Sequence, residues 1–392
     1  MTPALTMLLL LHLADPPLVP AAPPEAAKLF ARFEALWEDP AALEAELRAI
    51  RAQNPEWDFM HRTFLVLGAA NLALGGAIDA PRALRLIDRV IDDTLAREAE
   101  GGVHYFLMPY SKAGEWIATP PRSQFVDGEI AMMLAARRLL EDSPRHRALH
   151  RRRSVWIATR MAPHPTRSAE SYPDECWTFC NAIALAALRV GDLLDGTDHG
   201  PLTAAWLAAT KRMLTDEASG LMISAYTPAG VPTSSGAGPE GSTIWLVAHM
   251  LQVFAPEVAA DQYARARKEL GRSLMGLGWS LEWLPADGVE PDVDSGALVP
   301  GVLASTSASG LALIASRAFG DTRWHDALRR SLALAGPQEE DGQLRYAASN
   351  LVGDAVILYG LSSGPLWDLI SRRGGRGTRA PHRWGAPRTS RG

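Results

Sequence analysis

Five short segments gather carboxylates in this chain: Glu56-Trp57-Asp58, Asp127-Gly128-Glu129, Asp174-Glu175-Cys176, Pro239-Glu240-Gly241-Ser242 and Asp292-Val293-Asp294-Ser295-Gly296. Any one of them is accounted for by helix capping, because Asp and Glu accept from free N-terminal amides and oppose the helix dipole. Five in the same position relative to recurring helices suggest a shared pocket. Carboxyls crowded in a partly desolvated pocket cannot all ionise, and a neutral acid beside an ionised one is a general-acid/general-base pair. On this reading Asp294 or Glu129 is the acid and Glu175 or Glu240 its partner, with Asp292, Asp174 and Asp58 in support.

The segments between helices add Tyr105, Trp116, Tyr172, Trp177, Tyr226, Trp279, Trp283 and Tyr346. Rings at a pocket stack on sugars or shelter a carbocation, while the plain alternative is packing between helices. Tyr105 and Tyr346, with Ser171 and Cys180, complete the candidate binding set. Other chemistries find little footing: there is no Gly-rich phosphate loop, HExxH or CxxC, and His61, His104 and His249 stand isolated. Cys176 and Cys180, spaced i, i+4 in a run read as helix, share a face but lack further zinc-like ligands. Asp292 and Asp294 leave an oxygen-ligated Ca²⁺ or Mg²⁺ as an alternative, but the expectation is no metal and no cofactor.

The elements that must position these residues are helices. A 3.6-residue periodicity predicts about twelve, over 27–53 (broken near Pro40), 57–75, 80–98, 122–142, 145–162, 174–195, 200–215, 240–254, 257–277, 300–319, 322–335 and 349–370. Short breaks such as Gly75-Gly76 alternate with long connections at 99–121, 163–173, 216–239, 278–299 and 336–348. That alternation indicates stacked antiparallel pairs, and the small, apolar inner helices (NAIALAALRV, ASGLALIASRAF) favour closure into a ring. Short alternating stretches at Leu221–Tyr226 and Gln343–Tyr346 predict small strands. In such a toroid the N-termini of the inner helices open on one face, so all five acidic segments are expected to converge on one cavity mouth.

Composition agrees with an all-α, (α/α)6-type globular body over 25–370, preceded by an apolar, Pro-rich extension at 1–24 and followed by an Arg/Gly-rich tail at 371–392. The net charge of −5 hides an asymmetry: seven arginines and no acid follow Asp368, leaving 32 basic against 44 acidic residues before it. An acidic body argues against nucleic-acid binding. No apolar run approaches the roughly 20 residues of a membrane span. Ala4–Leu13 has the length of a signal-peptide apolar region but no basic residues ahead of it, so the expected location is cytoplasmic, with export as the alternative. A small-molecule substrate and homo-oligomerisation complete the expectations.

The segment Ser171–Thr197 (SYPDECWTFCNAIALAALRVGDLLDGT), with Trp206, Asp216, Gly220 and Ser224-Ala225-Tyr226 beyond it, resembles the linalool dehydratase/isomerase family. The likeness continues more weakly to Trp245, Phe319-Gly320-Asp321 and Leu344-Arg345-Tyr346. It implies an (α/α)6 barrel, in agreement with the helix pairs. It also implies an altered catalytic set: of the family's two active-site cysteines the second falls on Cys180 and the first on Ser171, its histidine falls on Glu129, and one of its tyrosines falls near Gly241. The cysteines of the family's disulfide are absent, and a His/Cys set is replaced by carboxylates. Asp292–Gly296 bears a weaker similarity to the Asp-rich motif of class II terpene cyclases. The expected function is therefore a cofactor-independent lyase, isomerase or cyclase acting on a small apolar terpenoid-like alcohol or alkene. Carbohydrate chemistry with paired carboxylates and a non-catalytic binding scaffold remain as alternatives.

Overall fold

The computed structural model describes residues 21–233, 238–285 and 296–375. Proline sets the first starts: α1 (Pro24–Glu38), α2 (Pro40–Gln53) and α3 (Pro55–Leu74) each begin on Pro, whose missing N–H costs nothing at that position. The side chains of Asp39 and Asn54 accept the next free amides. Beyond these follow α4 (Ala80–Gly101), α5 (Gln124–Leu140), α6 (Pro144–Met161), α7 (Thr178–Asp195), α8 (Gly200–Met213), α9 (Gly241–Leu251), α10 (Pro256–Glu269), α11 (Thr306–Ala318), α12 (Thr322–Leu332), α13 (Leu351–Ser362) and α14 (Pro365–Arg373).

Burial separates these helices into two layers. In α5 every residue from Phe125 to Leu139 is buried, whereas α4 buries only Ala83, Leu86, Ile87, Val90, Ile91 and Thr94, the stripe of an amphipathic outer helix. The six inner helices α3, α5, α7, α9, α11 and α13 each pack on the next, and α13 returns to α3. The ring is closed. Helices α4, α6, α10 and α12 cover α3, α5, α9 and α11, while α1 covers α13. Helix α8 joins the outer layer, bringing Trp206 against Phe254 and onto the Ser168 hydroxyl. This is the all-α barrel that the spacing of helix pairs predicted.

Four expected helices differ at one end, the run 300–319 among them, which is helical only from Thr306. The run 257–277 stops at Glu269 and becomes a hairpin of β3 (Gly271–Leu274) and β4 (Leu277–Ser280), turning through Met275 and Gly276, both at positive φ. These strands join β6 (Ala304–Ser305) and β5 (Leu298–Val299) in an antiparallel sheet of order β3-β4-β6-β5. The run 174–195 opens as strand β1 (Cys176–Trp177), paired with β2 (Ala225–Tyr226), so helix starts only at Thr178. Cys176 therefore does not share a helix face with Cys180; it packs with Leu214, Ile223 and Tyr226, and both thiols are free. The run 349–370 breaks at Gly364, φ 132°, before Pro365. The strand expected at Gln343–Tyr346 is β8, paired with β7 (Pro337–Glu340).

The segment around that break crosses the pole where the inner helices end. Leu366 N–H donates to Asn71 of α3, Trp367 stacks on His249 of α9 at 4.5 Å, and the Ser363 carbonyl accepts from Arg317 of α11. The helix runs past the expected boundary at 370, to Arg373. No helix among the described residues is long and apolar enough to cross a membrane.

At the opposite pole the loop after β4 presses on the start of α9. A Cβ on Gly241 would lie 2.4 Å from the Leu281 carbonyl oxygen, a backbone atom that cannot swing aside. Gly241→Ala is expected to destabilise the fold by about 1–3 kcal/mol, measured by urea unfolding.

Candidate active site

At 100° per residue, two acids spaced i, i+2 on a helix point to nearly opposite sides. In α3 and α5 this decides which carboxylate meets the barrel interior. Asp58 points outward, where its Oδ1 accepts from Arg62 Nε at 2.7 Å and its Oδ2 from Arg51 Nη1 at 3.1 Å. Asp127 also points outward and accepts from Arg122 Nε (2.9 Å), Arg160 Nη2 (2.6 Å) and Arg153 Nη1 (2.5 Å). Burial alone would raise both carboxyls, but the guanidinium groups reverse this and hold each below its ordinary value. Both acids tie the inner ring to its surroundings.

Glu56 and Glu129 take the inward directions. Together with Glu175, Glu240, Cys180 and the rings of Trp57, Phe125 and Trp177, Glu56 lines a cavity of about 1620 Å³ at the pole where the inner helices begin. Glu129 lies one helical turn deeper than Phe125, and Thr63 beside it lies about one turn deeper than Met60, another wall residue. Glu129 is 2% exposed. Burial pushes its carboxyl up to about 8, and the adjacent Thr63 hydroxyl only partly offsets this. At neutral pH it holds its proton.

Cys180 adjoins this acid. Burial lifts its thiol well above the ordinary value; the adjacent Ser171 opposes this, and the charges of Glu56, Glu129 and Glu175 reinforce it. Cys180 is therefore a neutral thiol in an acidic surround. The buried Ser171 hydroxyl sits next to it without a well-formed hydrogen bond, while the Ser171 backbone is fixed by Ser123 Oγ and the Glu175 carbonyl. Glu56 accepts from the Tyr172 hydroxyl and Glu175 from the Trp177 indole N–H. Glu240 lies on the far wall at the start of α9, accepting from Thr243 Oγ1 at 3.4 Å.

The structure thus brings Glu129, Glu175, Cys180 and Ser171 together and sets Glu240 across the same cavity. The expected convergence of every acidic segment does not hold for Asp58 or Asp127, for the helical reason above, nor for Asp174. Asp174 is exposed in the Tyr172–Glu175 turn at φ 56°. Tyr105 lies outside the ring, its face covered by Arg51 at 4.0 Å, and Tyr346 is buried on β8 near Glu25 and Asp354, away from the cavity wall. Asp292 and Asp294 lie outside the described residues. One cavity acid was missed altogether: Glu282, buried between the starts of α9 and α11, accepts from Ser242 N–H at 3.0 Å and from the hydroxyls of Ser242 and Ser305. Its only sequence signal was its place between Trp279 and Trp283 in a connection rich in pocket residues.

Fold and mouth together define an (α/α)6 barrel with an acid-bearing, aromatic-walled cavity. A family model described as linalool dehydratase/isomerase matches residues 155–352, half of the chain, and the chain belongs to that family. The comparison with curated proteins returns no match. Three positions that the resemblance equated with family active-site residues, Glu129, Ser171 and Cys180, adjoin one another here. Near the fourth, Gly241, the Leu281 carbonyl leaves no room for a side chain.

Because Glu129 titrates near 8 in the fold against an ordinary 4.5, folding takes up a proton between those values. Stability supplied by the protonated carboxyl is complete below about 4.5 and is lost as pH rises through about 8. Glu129→Gln, which cannot ionise, should gain stability over the parent across that window, by on the order of a few kcal/mol at its upper end, as read by thermal unfolding at several pH values.

Proposed function

We propose that the chain catalyses acid/base dehydration or isomerisation of a terpenoid alcohol, with Glu129 as the proton donor. Family membership supports the substrate class, and the observation that carries the mechanism is a buried carboxyl, one helical turn deeper than the cavity wall at Phe125, that keeps its proton at neutral pH. Glu129 protonates the hydroxyl of an allylic alcohol, the C–O bond breaks, and water leaves with that proton. The rings of Trp57, Phe125 and Trp177 offer negative faces to the resulting cation. Glu175, held as an acceptor by the Trp177 indole, removes a proton from the adjacent carbon and completes the alkene. Return of water at the other end of the allylic cation, with proton flow reversed, gives the isomer instead. Cys180 and Ser171 enclose the site as neutral groups next to the acid. The apolar wall and the family favour this reading over carbohydrate chemistry.

The test is headspace gas chromatography of the full chain with linalool and related tertiary allylic alcohols. Alkene or isomer should form at a rate that declines as pH rises through about 8, where Glu129 loses its proton. Glu129→Gln should lower kcat by roughly 10²–10⁴-fold while leaving the protein folded. A flat profile through that range, or an active Glu129→Gln, removes Glu129 from this role.

Glu175→Gln should lower kcat by a similar order while retaining the decline near pH 8, since that decline belongs to Glu129. Rates of both variants measured across the same pH series separate donor from acceptor.

A further inference from the structure

The wall opposite Glu129 has a different chemistry. In the six-helix ring α5 and α11 are three steps apart and therefore face each other across the cavity. With neighbouring helices packed about 8–10 Å apart, opposed axes stand roughly 16–20 Å apart. On the α5 side are Glu129 and the rings of Trp57, Phe125 and Trp177, while Trp279 and Trp283 flank Glu282 on the other. On the α9 and α11 side the wall is hydroxylic: Ser242, Thr243, Ser305, Thr306, Ser307 and Ser309 all line the cavity around Glu282.

These hydroxyls are held in a defined sense. Glu282 is 2% exposed, and its carboxylate collects donors from Ser242 and Ser305, with Ser307 Oγ reaching it at 3.5 Å. Each hydroxyl that gives its proton to Glu282 keeps lone pairs for another donor. Ser305 Oγ commits its own to the Ala308 N–H and to Ser307 at 3.0 Å, whereas Ser242 and Ser307 are half-buried on the cavity wall. The corner is thus an acceptor surface that fits a hydroxyl donor on a ligand. The terpenoid reaction leaves it unused, because it lies across the barrel from the acid. The cavity, at about 1620 Å³, also exceeds the roughly 300–1,000 Å³ of ordinary small-molecule sites.

We infer that the Ser242/Ser307/Glu282 corner is a second substrate-binding subsite, and that the substrate is a two-ended terpenoid with one hydroxyl at the reacting end and another hydroxyl at its remote end. This rests on the terpenoid reading of the cavity. The remote hydroxyl donates to Ser242 or Ser307, and the apolar chain between the two ends lies along Val356 and Ile357 of α13. The subsite fixes which end of the molecule reaches Glu129.

The probes are two tertiary allylic alcohols of one skeleton, about fifteen carbons long, with and without a terminal hydroxyl at the far end. With the full chain the diol should show a kcat/KM roughly tenfold higher, carried by KM. In Ser307→Ala, and independently in Ser242→Ala, that preference should fall at least several-fold; a merely structural defect lowers both substrates alike. Equal kcat/KM for the two alcohols overturns the subsite, as does an unchanged preference in both variants. Calorimetry with the saturated, unreactive forms of the two alcohols separates this from the reaction itself. Tighter diol binding that is lost in Ser307→Ala, without turnover of either allylic alcohol, sustains the subsite and overturns the proposed chemistry. Equal binding of the two saturated alcohols overturns the subsite whatever the turnover.

Discussion

Six helices that start at one pole of a barrel bring six like dipole ends together, each carrying roughly half a positive charge. The crowding would be unfavourable without negative charge at the mouth. Glu56, Glu175, Glu240 and Glu282 stand there, at or near the first turns of α3, α7, α9 and α11. The dipole effect fades within one turn. Glu129, the sixth residue of α5, lies beyond it, and the nearby arginines are engaged by Asp127 on the other side of the helix. Charge support at the mouth and its absence one turn deeper follow from the same geometry, and the deeper carboxyl is the one that burial keeps protonated.

The outward acids perform the complementary task. Asp58 and Asp127 bind arginines that also bind Asp93 and Glu98 of α4, so the inner ring is laced to its outer layer by charge-assisted hydrogen bonds. A buried network of this kind contributes little net free energy over a well-packed apolar one, but removal of a single member leaves an uncompensated charge. It fixes the rotation of α3 and α5 about their axes. That rotation in turn determines where Glu56 and Glu129 point.

Much of the architecture was legible from periodicity: twelve runs, their pairing, closure through small residues, and carboxylates at the inner starts. Helical phase is also present in the sequence, since Asp127 and Glu129 are two apart; taking each acidic segment as a block overlooks it and puts Asp58 in the pocket. The hairpin at Gly271–Ser280 was hidden because Arg267–Met275 continues the apolar spacing of α10; only the positive φ at Met275 and Gly276 reveals the turn. Glu282 and its hydroxyl partners were illegible for a different reason. They meet through contacts between segments far apart in sequence, such as Ser242 with Glu282 and Glu282 with Ser305. The family resemblance found Glu129, Ser171 and Cys180 separately, and the fold explains why three distant positions act as one neighbourhood.

Ser363, Leu366 and Trp367 cross the far pole, and the cavity lies at the opposite one, where the inner helices begin. In the proposed reaction, whatever forms beside Glu129 departs past the mouth through which the next molecule arrives, and released water shares that route. On that reading a product still in the cavity would compete directly with fresh substrate, and clearance would govern turnover as much as bond breaking.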